Sequence, residues 1–597
     1  MPPKAFDRYL QLFQRSLANV EALPQLALLG LLSGLATGLV VLLFRLAIEG
    51  PLVFLLPGAD AENFEALDPL VRGLLPLAGA LLIGALLHQL SAPQRRLGIT
   101  HVMERLGYHQ GHLSLRSAVN QFVLGVLTII SGLSSGREGP AVHLGAASSS
   151  LLGQWMRLPN NSIRTLVACG TAAAISASFN TPIAGVIFAM EVVLMEYTIS
   201  GFTPVILAAV SAAVVHQLVY GDMPAFVVPP LAMNSLLELP YIVLMGLVFA
   251  ACSALFVATL KYFTRYSARP ILLRVLAACA VTGVTAIALP EIMGIGYDTV
   301  SASIAGSLGL GLLLAVGVAK LLLSATTAGL GVPVGVIGPT LVVGATLGAA
   351  MGIVGQTMAP ASASSTGFYA LLGMGAMMGA TLQAPLSALM ALIELTRSTQ
   401  IILPAMLIIT VASLTAAAVF KQRSVFITAL QAAGLDYGST PLSQALRRVG
   451  VGAIMDRSFA RTPPALTQDE AKQILLNAPK WILVENENGP MFVLPGSDLA
   501  RYLEQSEQPA HAEQAVEPDA TRATLPDGRI DLCEIPAQRR DLAPLQHQAT
   551  LEEALEKLDA SRVEALYVER VSAPLIKPII GVITRGDIEG YYLLKKK

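Results

Sequence analysis

Two charged residues stand among glycines and a proline in Gly136-Arg137-Glu138-Gly139-Pro140, flanked by apolar sequence on both sides. Each charge in such a setting costs at least a few kcal/mol inside a membrane, so its presence signals a function. The glycines and Pro140 end one apolar run and open the next, which places Glu138 at a helix start. There a carboxylate meets backbone N–H groups with no helical partner and the positive end of the helix dipole. Helix starts of this kind bind anions, so Glu138 can occupy an anion site and compete with a transported ion. The plainer alternative is a capping glutamate paired with Arg137. A cap alone gains about 1 kcal/mol and leaves two charges at this depth unexplained.

A second break, Gly331-Val332-Pro333-Val334-Gly335-Val336-Ile337-Gly338-Pro339, opens the run Thr340–Gly348, and a third is Leu97-Gly98-Ile99-Thr100. Broken helices in corresponding places of two halves point to a binding site near the midplane of a membrane. Glu191 and Glu196 follow the apolar run in FNTPIAGVIFAMEVVLMEY. For these two, an interfacial, snorkelling or paired role and a functional role both stay open. Enzyme signatures are missing: there is no P-loop, no HExxH and no G-x-S-x-G. The cysteines Cys169, Cys252, Cys279 and Cys533 form no CxxC pair, so neither a metal site nor a disulfide framework is expected.

The elements that must position these residues follow from composition. The chain has 597 residues, of which 54% are hydrophobic and 13% charged. Soluble proteins carry about 25% charged residues. Of the charged residues, 42 lie in 446–597 and 37 in 1–445, about 28% and about 8% of those stretches, so a membrane body precedes a soluble region. The net charge of −1 argues against a nucleic-acid partner. Residues 1–22 read as an amphipathic interfacial helix, with Phe6, Leu10 and Phe13 among Lys4, Arg8 and Arg15. Twelve apolar segments follow between 24 and 420, several near the roughly 20 residues that span a bilayer and others short. Among them are 118–134, 184–195, 339–355 and a single long run over 367–394. Gly30, Gly34 and Gly38 form a double GxxxG, which lets helices approach closely. Residues 423–445 are expected to leave the membrane. Strands over 481–494, 565–570 and 578–583, with helices over 497–505, 550–561 and 585–594, suggest a strand–strand–helix unit that occurs twice. Residues 506–530 are polar and expected to be loose.

SGREGPAVHLGAA (135–147), FNTPIAGVIFAMEVV (179–193), GVPVGVIGPTLVVGA (331–345) and SVFITALQAAGL (424–435) together resemble the CLC chloride channel and transporter family. The match covers nearly all of 25–435. The C-terminal pair resembles CBS domains, with GVITRGDI (581–588) its clearest piece. The fold this implies is an all-α polytopic membrane domain of inverted repeats and broken helices, followed by a cytosolic α/β CBS pair. Its parts would be 1–22, a transport domain over 23–435, a linker and first CBS module over 436–505, a flexible loop over 506–535 and a second module over 536–597. The resemblance implies a homodimer in lipid, with a separate pathway for chloride or other small anions in each subunit. Glu138 would be the gating glutamate. Backbone amides of Val336 and Ile337 would coordinate the central anion, with Gly136, Arg137, Gly139, Leu97, Gly98, Ile99 and Phe426 around it.

Several residues depart from the family's pattern. Leu97 stands where a serine is usual, Thr100 where a proline is, Ile337 where a phenylalanine is, and Phe426 where a tyrosine is. Loss of both hydroxyl donors would weaken anion binding by roughly 1–3 kcal/mol. Proton-coupled members usually carry a glutamate just after the position of Glu191, and here that residue is Val192. Valine cannot relay a proton, so the reading favours a passive, Glu138-gated chloride-type channel of a bacterial inner membrane. The alternative is a proton-coupled antiporter, in which Glu191 or Glu196 supplies the proton path. Thr584 and Asp587, with Asp498 as counterpart, occupy positions at which CBS domains commonly bind adenine nucleotide, although Pro495 replaces a hydroxyl residue. No cofactor is required for anion flow. A third reading makes the chain a nucleotide sensor acting through the CBS pair.

Overall fold

The computed structural model describes residues 23–595 apart from 198, 223, 227, 230, 361, 436–440, 488, 508–522, 526–527 and 571–577. The helix expected over 1–22 lies outside the described residues. The chain divides into two compact units, one of 23–156 and 163–438, the other of 157–162 and 439–597.

The first unit is mostly helical. Its first half runs α1 (Leu23–Leu55), α2 (Pro69–Gln89), α3 (Gly98–Tyr108), α4 (Leu115–Ile130), α5 (Glu138–Trp155), α6 (Asn160–Phe179), α7 (Pro182–Phe188) and α8 (Ile199–Tyr220). Its second half runs α9 (Leu239–Thr264), α10 (Ile271–Ala288), α11 (Tyr297–Ala305), α12 (Leu310–Gly329), α13 (Ile337–Met358), α14 (Thr366–Leu382), α15 (Pro385–Thr396), α16 (Ile402–Ala418) and α17 (Val425–Ala432). Among the described residues, eight helices are long and apolar enough to cross a membrane, and the unit is a multi-pass membrane domain. The order α5–α6–α7 recurs as α13–α14–α15. The close contacts recur with it: a Cβ on Gly145 would lie 2.3 Å from the Gly170 carbonyl oxygen, and one on Gly344 would lie 2.4 Å from that of Gly373. Between α1 and α8 the GxxxG spacing acts as expected, since a Cβ on Gly30 would lie 2.3 Å from the Pro204 carbonyl oxygen. Polar groups in this packing bond one another, as Ser33 and Ser149 do at 2.6 Å.

Two boundaries differ from the sequence reading. The run over 367–394 is two helices, α14 and α15, separated at Gln383, whose φ is +52°. Pro385 supplies no N–H and cannot continue α14, so it begins a new helix. Residues 425–432 do not leave the membrane domain: α17 belongs to it, with Val425, Phe426 and Leu430 buried.

The second unit carries α18 (Pro441–Arg447), β1 (Phe459–Thr462), β2 (Ala465–Leu466), α19 (Gln468–Leu476), β3 (Trp481–Asn486), β4 (Gly489–Pro495), α20 (Gly496–Glu507), β5 (Ile530–Asp531), β6 (Arg540–Gln546), α21 (Leu551–Ser561), β7 (Ala565–Glu569), β8 (Ile579–Thr584) and α22 (Arg585–Lys595). One sheet has the order β1-β3-β4-β6-β7-β8. β1 lies parallel to β3 and β6 parallel to β7, while β3–β4 and β7–β8 are antiparallel. The repeated unit is therefore strand–helix–strand–strand–helix, longer than the strand–strand–helix of the sequence reading. The opening strands escaped it because β6 carries Arg540, Asp541 and Pro544, which disfavour a strand assignment. The stretch 506–530 is tied at both ends: α20 extends to Glu507, and β5 pairs with β2.

His547 follows β6. Burial, and less strongly Arg570, pushes its imidazole down to about 4. The folded value lies below the unfolded value of about 6.5, so the unfolded chain binds more protons between those limits. Stability of this unit is expected to fall as pH drops from about 6.5 to about 4, with a slope of at most about 1.4 kcal/mol per pH unit. Thermal unfolding of the full-length protein across that range checks this, and His547→Gln should remove that slope.

Candidate functional site

Glu138 is the first residue of α5 and is fully buried. The expected helix start is therefore present, but the N–H that holds the carboxylate comes from the other half of the domain. Glu138 Oε2 accepts a hydrogen bond from the Gly338 N–H at 3.1 Å, in the first turn of α13. Oε1 accepts one from the Tyr297 hydroxyl at the start of α11. The carboxylate thus sits where the dipole of α13 favours negative charge.

Backbone contacts fix this crossing. Gly136 N–H donates to the Gly335 carbonyl at 2.9 Å, and Gly335 N–H donates to Ser135 Oγ at 3.2 Å. A Cβ on Gly335 would lie 2.2 Å from the Gly136 carbonyl oxygen, and one on Gly136 would lie 2.9 Å from the Gly338 backbone nitrogen. Both positions need glycine because the strands of backbone touch.

Arg137 does not pair with Glu138. It faces Glu49 at 3.5 Å and donates to the Ser178 carbonyl at 3.2 Å, which removes the capping-pair alternative. Two cavities flank the crossing and share no lining residue. One, of about 420 Å³, is lined by Arg137, Tyr297, Glu49 and Asp298. The other, of about 550 Å³, is lined by Gly139, Leu97, Gly98, Ile99, Val336 and Phe426. Glu138 lies in the chain between a residue of one cavity and a residue of the other, and so forms part of the partition.

Most of the sequence-derived candidates are brought together here, with two differences. The Gly98 N–H is not available to an anion: it donates to Gln121 Oε1 at 2.7 Å. The side chain of Ile337 is buried beside Phe179, Phe188 and Leu341 and does not line the larger cavity. The backbone N–H groups of Val336 and Ile337 have no protein acceptor among the described residues, as a helix start allows.

Glu191 resolves as a cap. Its carboxylate accepts from Leu386 N–H at 3.2 Å, Ser387 N–H at 2.7 Å and Ser387 Oγ at 2.6 Å, at the start of α15. Glu394 does the reverse, accepting from Ile183 N–H at 3.0 Å and Ala184 N–H at 2.7 Å at the start of α7. Val192 is buried beside Glu191. The sequence reading missed Glu394, although it follows Pro385 by the same spacing as Glu191 follows Pro182. It also missed Tyr297, which no spacing announces.

In the second unit Thr584 and Asp587 meet. Thr584 Oγ1 donates to Asp587 Oδ2 at 2.6 Å, and Lys480 Nζ lies 3.7 Å from Oδ1. Asp498 is elsewhere engaged, accepting from Gln538 N–H at 2.9 Å.

The family model described as voltage gated chloride channel matches residues 79–417. A putative chloride channel protein, ClcB-like, of Ralstonia nicotianae is 33% identical over 392 residues, 64% of this chain and 91% of that protein. An H(+)/Cl(−) exchange transporter, ClcA, of Citrobacter koseri is 30% identical over 294 residues, 48% of this chain and 62% of that protein. A slow cyanobacterial Cl−/H+ antiporter shares the fold with a TM-score of 0.60 at 22% identity, over 68% of this chain and 97% of its own. A eukaryotic CLC transporter does so with a TM-score of 0.57 at 18% identity, over 94% of this chain and 97% of its own. The chain belongs to the voltage-gated chloride channel, or CLC, family. That family consists of channels and transporters, not enzymes.

Proposed function

We propose that this protein moves chloride or similar small anions across a bacterial inner membrane in exchange for protons, with Glu138 as the group both ions use. The observation that carries this reading is the Glu138 carboxylate on the first turn of α13, between two cavities. A carboxylate there is an intramolecular stand-in for the anion. Protonation removes its charge and lets an anion take the place, so anion and proton occupancy are linked at one residue. Exchange is favoured over the passive flow expected from Val192 because ClcA, which is 30% identical, bears the name of an exchanger. The passive reading keeps two observations in its favour: the ClcB-like relative, 33% identical, bears the name of a chloride channel, and Glu191 is committed to capping α15 beside the apolar Val192.

Liposomes with a chloride gradient and a pH gradient separate the two. An exchanger drives protons against their gradient when chloride flows, and its reversal potential moves with pH. A reversal potential set by chloride alone overturns exchange and leaves the channel.

The repeated units of the C-terminal region support a reading as a cytoplasmic CBS pair. We assign the two modules to 436–505 and 536–597. Adenine nucleotide at Thr584 and Asp587 would have to compete with the hydrogen bond between those two side chains. Titration of the full-length protein with ATP tests that site. A homodimer in lipid completes the proposal, and cross-linking in membranes tests it.

A further inference from the structure

The two positions where the family resemblance leads one to expect hydroxyls, Leu97 and Phe426, present hydrocarbon to the 550 Å³ cavity. Gln121, on α4, lines the same cavity and is 1% exposed. Its Oε1 accepts the Gly98 N–H at 2.7 Å, and His143 Nδ1 lies 3.1 Å from the same oxygen. A backbone N–H can only donate, so the amide is oriented with its oxygen toward Gly98 and its nitrogen away from it. Gln121 Nε2 is buried and has no hydrogen-bond partner among the described residues. A buried donor left without an acceptor is costly, and native structures rarely keep one without a ligand or water for it. The carboxylate on the cavity wall, Glu104, is already engaged by Arg96 at 2.7 Å and by His101 at 3.3 Å.

We propose that the side-chain amide of Gln121 is a direct ligand for a small monovalent anion in this cavity, taking the donor role that Leu97 and Phe426 cannot fill. The inference rests on the anion-transport reading above. A neutral amide suits the task, because it holds the ion by a hydrogen bond and does not trap it with a full charge. It also stands on a different element from the two positions it replaces, held in place by the Gly98 N–H.

Gln121→Glu is the informative variant. It keeps an oxygen for Gly98 and turns the donor into a charged acceptor. Calorimetric titration of the full-length protein in detergent should show chloride binding at least tenfold weaker than in the wild type. Gln121→Met, which is apolar and of similar volume, should also bind chloride less tightly. Unchanged affinity in either folded variant overturns the proposal. Crystals of the wild type in bromide give a reading that needs no variant: an anomalous peak in contact with Gln121 Nε2 is expected, and bromide seated elsewhere in the cavity overturns it. Wild-type protein that carries no anion at all would overturn anion transport itself. Wild-type flux with an unaffected Gln121→Glu overturns this inference alone.

Discussion

Glu138→Gln is expected to yield a protein that still passes chloride but no longer responds to external pH and no longer moves protons. In the wild type the carboxylate is held by Gly338 N–H and the Tyr297 hydroxyl. Hydrogen bonds to a charged group contribute roughly 1.5–3 kcal/mol each, so the ionised side chain occupies the site firmly. On the proposed mechanism, protonation would remove the charge and free the site. Glutamine has nothing to titrate, and its flux should be flat between pH 7.5 and 4.5 in liposome assays. Tyr297→Phe removes one of the two donors. It should weaken the hold on the carboxylate by roughly tenfold or more and raise flux at neutral pH. Pronounced pH dependence that survives in Glu138→Gln would remove this residue from the mechanism.

The second large effect concerns the crossed caps. Glu191→Ala strips three hydrogen bonds from the start of α15, and Glu394→Ala strips two from the start of α7. A lost cap costs about 1 kcal/mol at a surface, and more where buried N–H groups are left without acceptors. Each substitution is expected to destabilise the membrane domain by roughly 2–4 kcal/mol, Glu191→Ala more than Glu394→Ala. Thermal unfolding in detergent, followed by loss of the monodisperse species, measures this. Gln at either position should recover part of the loss, because one side-chain oxygen remains to accept. An unfolding midpoint that does not move would show that these carboxylates carry no structural load.

Glu138 could be found from the sequence because glycine and proline around it leave few backbone choices, and because charge in an apolar run is expensive. Its partners could not. Gly338 and Tyr297 lie far along the chain, and only the meeting of the two halves brings them to the carboxylate. The same holds for Gln121, whose place in an amphipathic helix looks ordinary until Gly98 is seen to donate to it. Glu191 and Glu394 fall between these cases. Each follows a helix-opening proline at equal spacing, a repeat that comparison of the halves would have revealed. The split at Gln383 was announced by Pro385 and the polar Gln383 itself, which the apolar residues on both sides outweighed. In the soluble region, alternation identified β3, β4, β7 and β8, while the charged residues of β6 concealed its pairing with β7.

At the crossing of Gly136 and Gly335, main chain rests on main chain with no room for even a methyl group. Natural variation has nothing to work with there, since any larger residue would push the two halves apart. Adaptation of this scaffold to a new ion must therefore come from the surrounding wall, and Leu97, Gln121 and Phe426 are where such change can be accommodated.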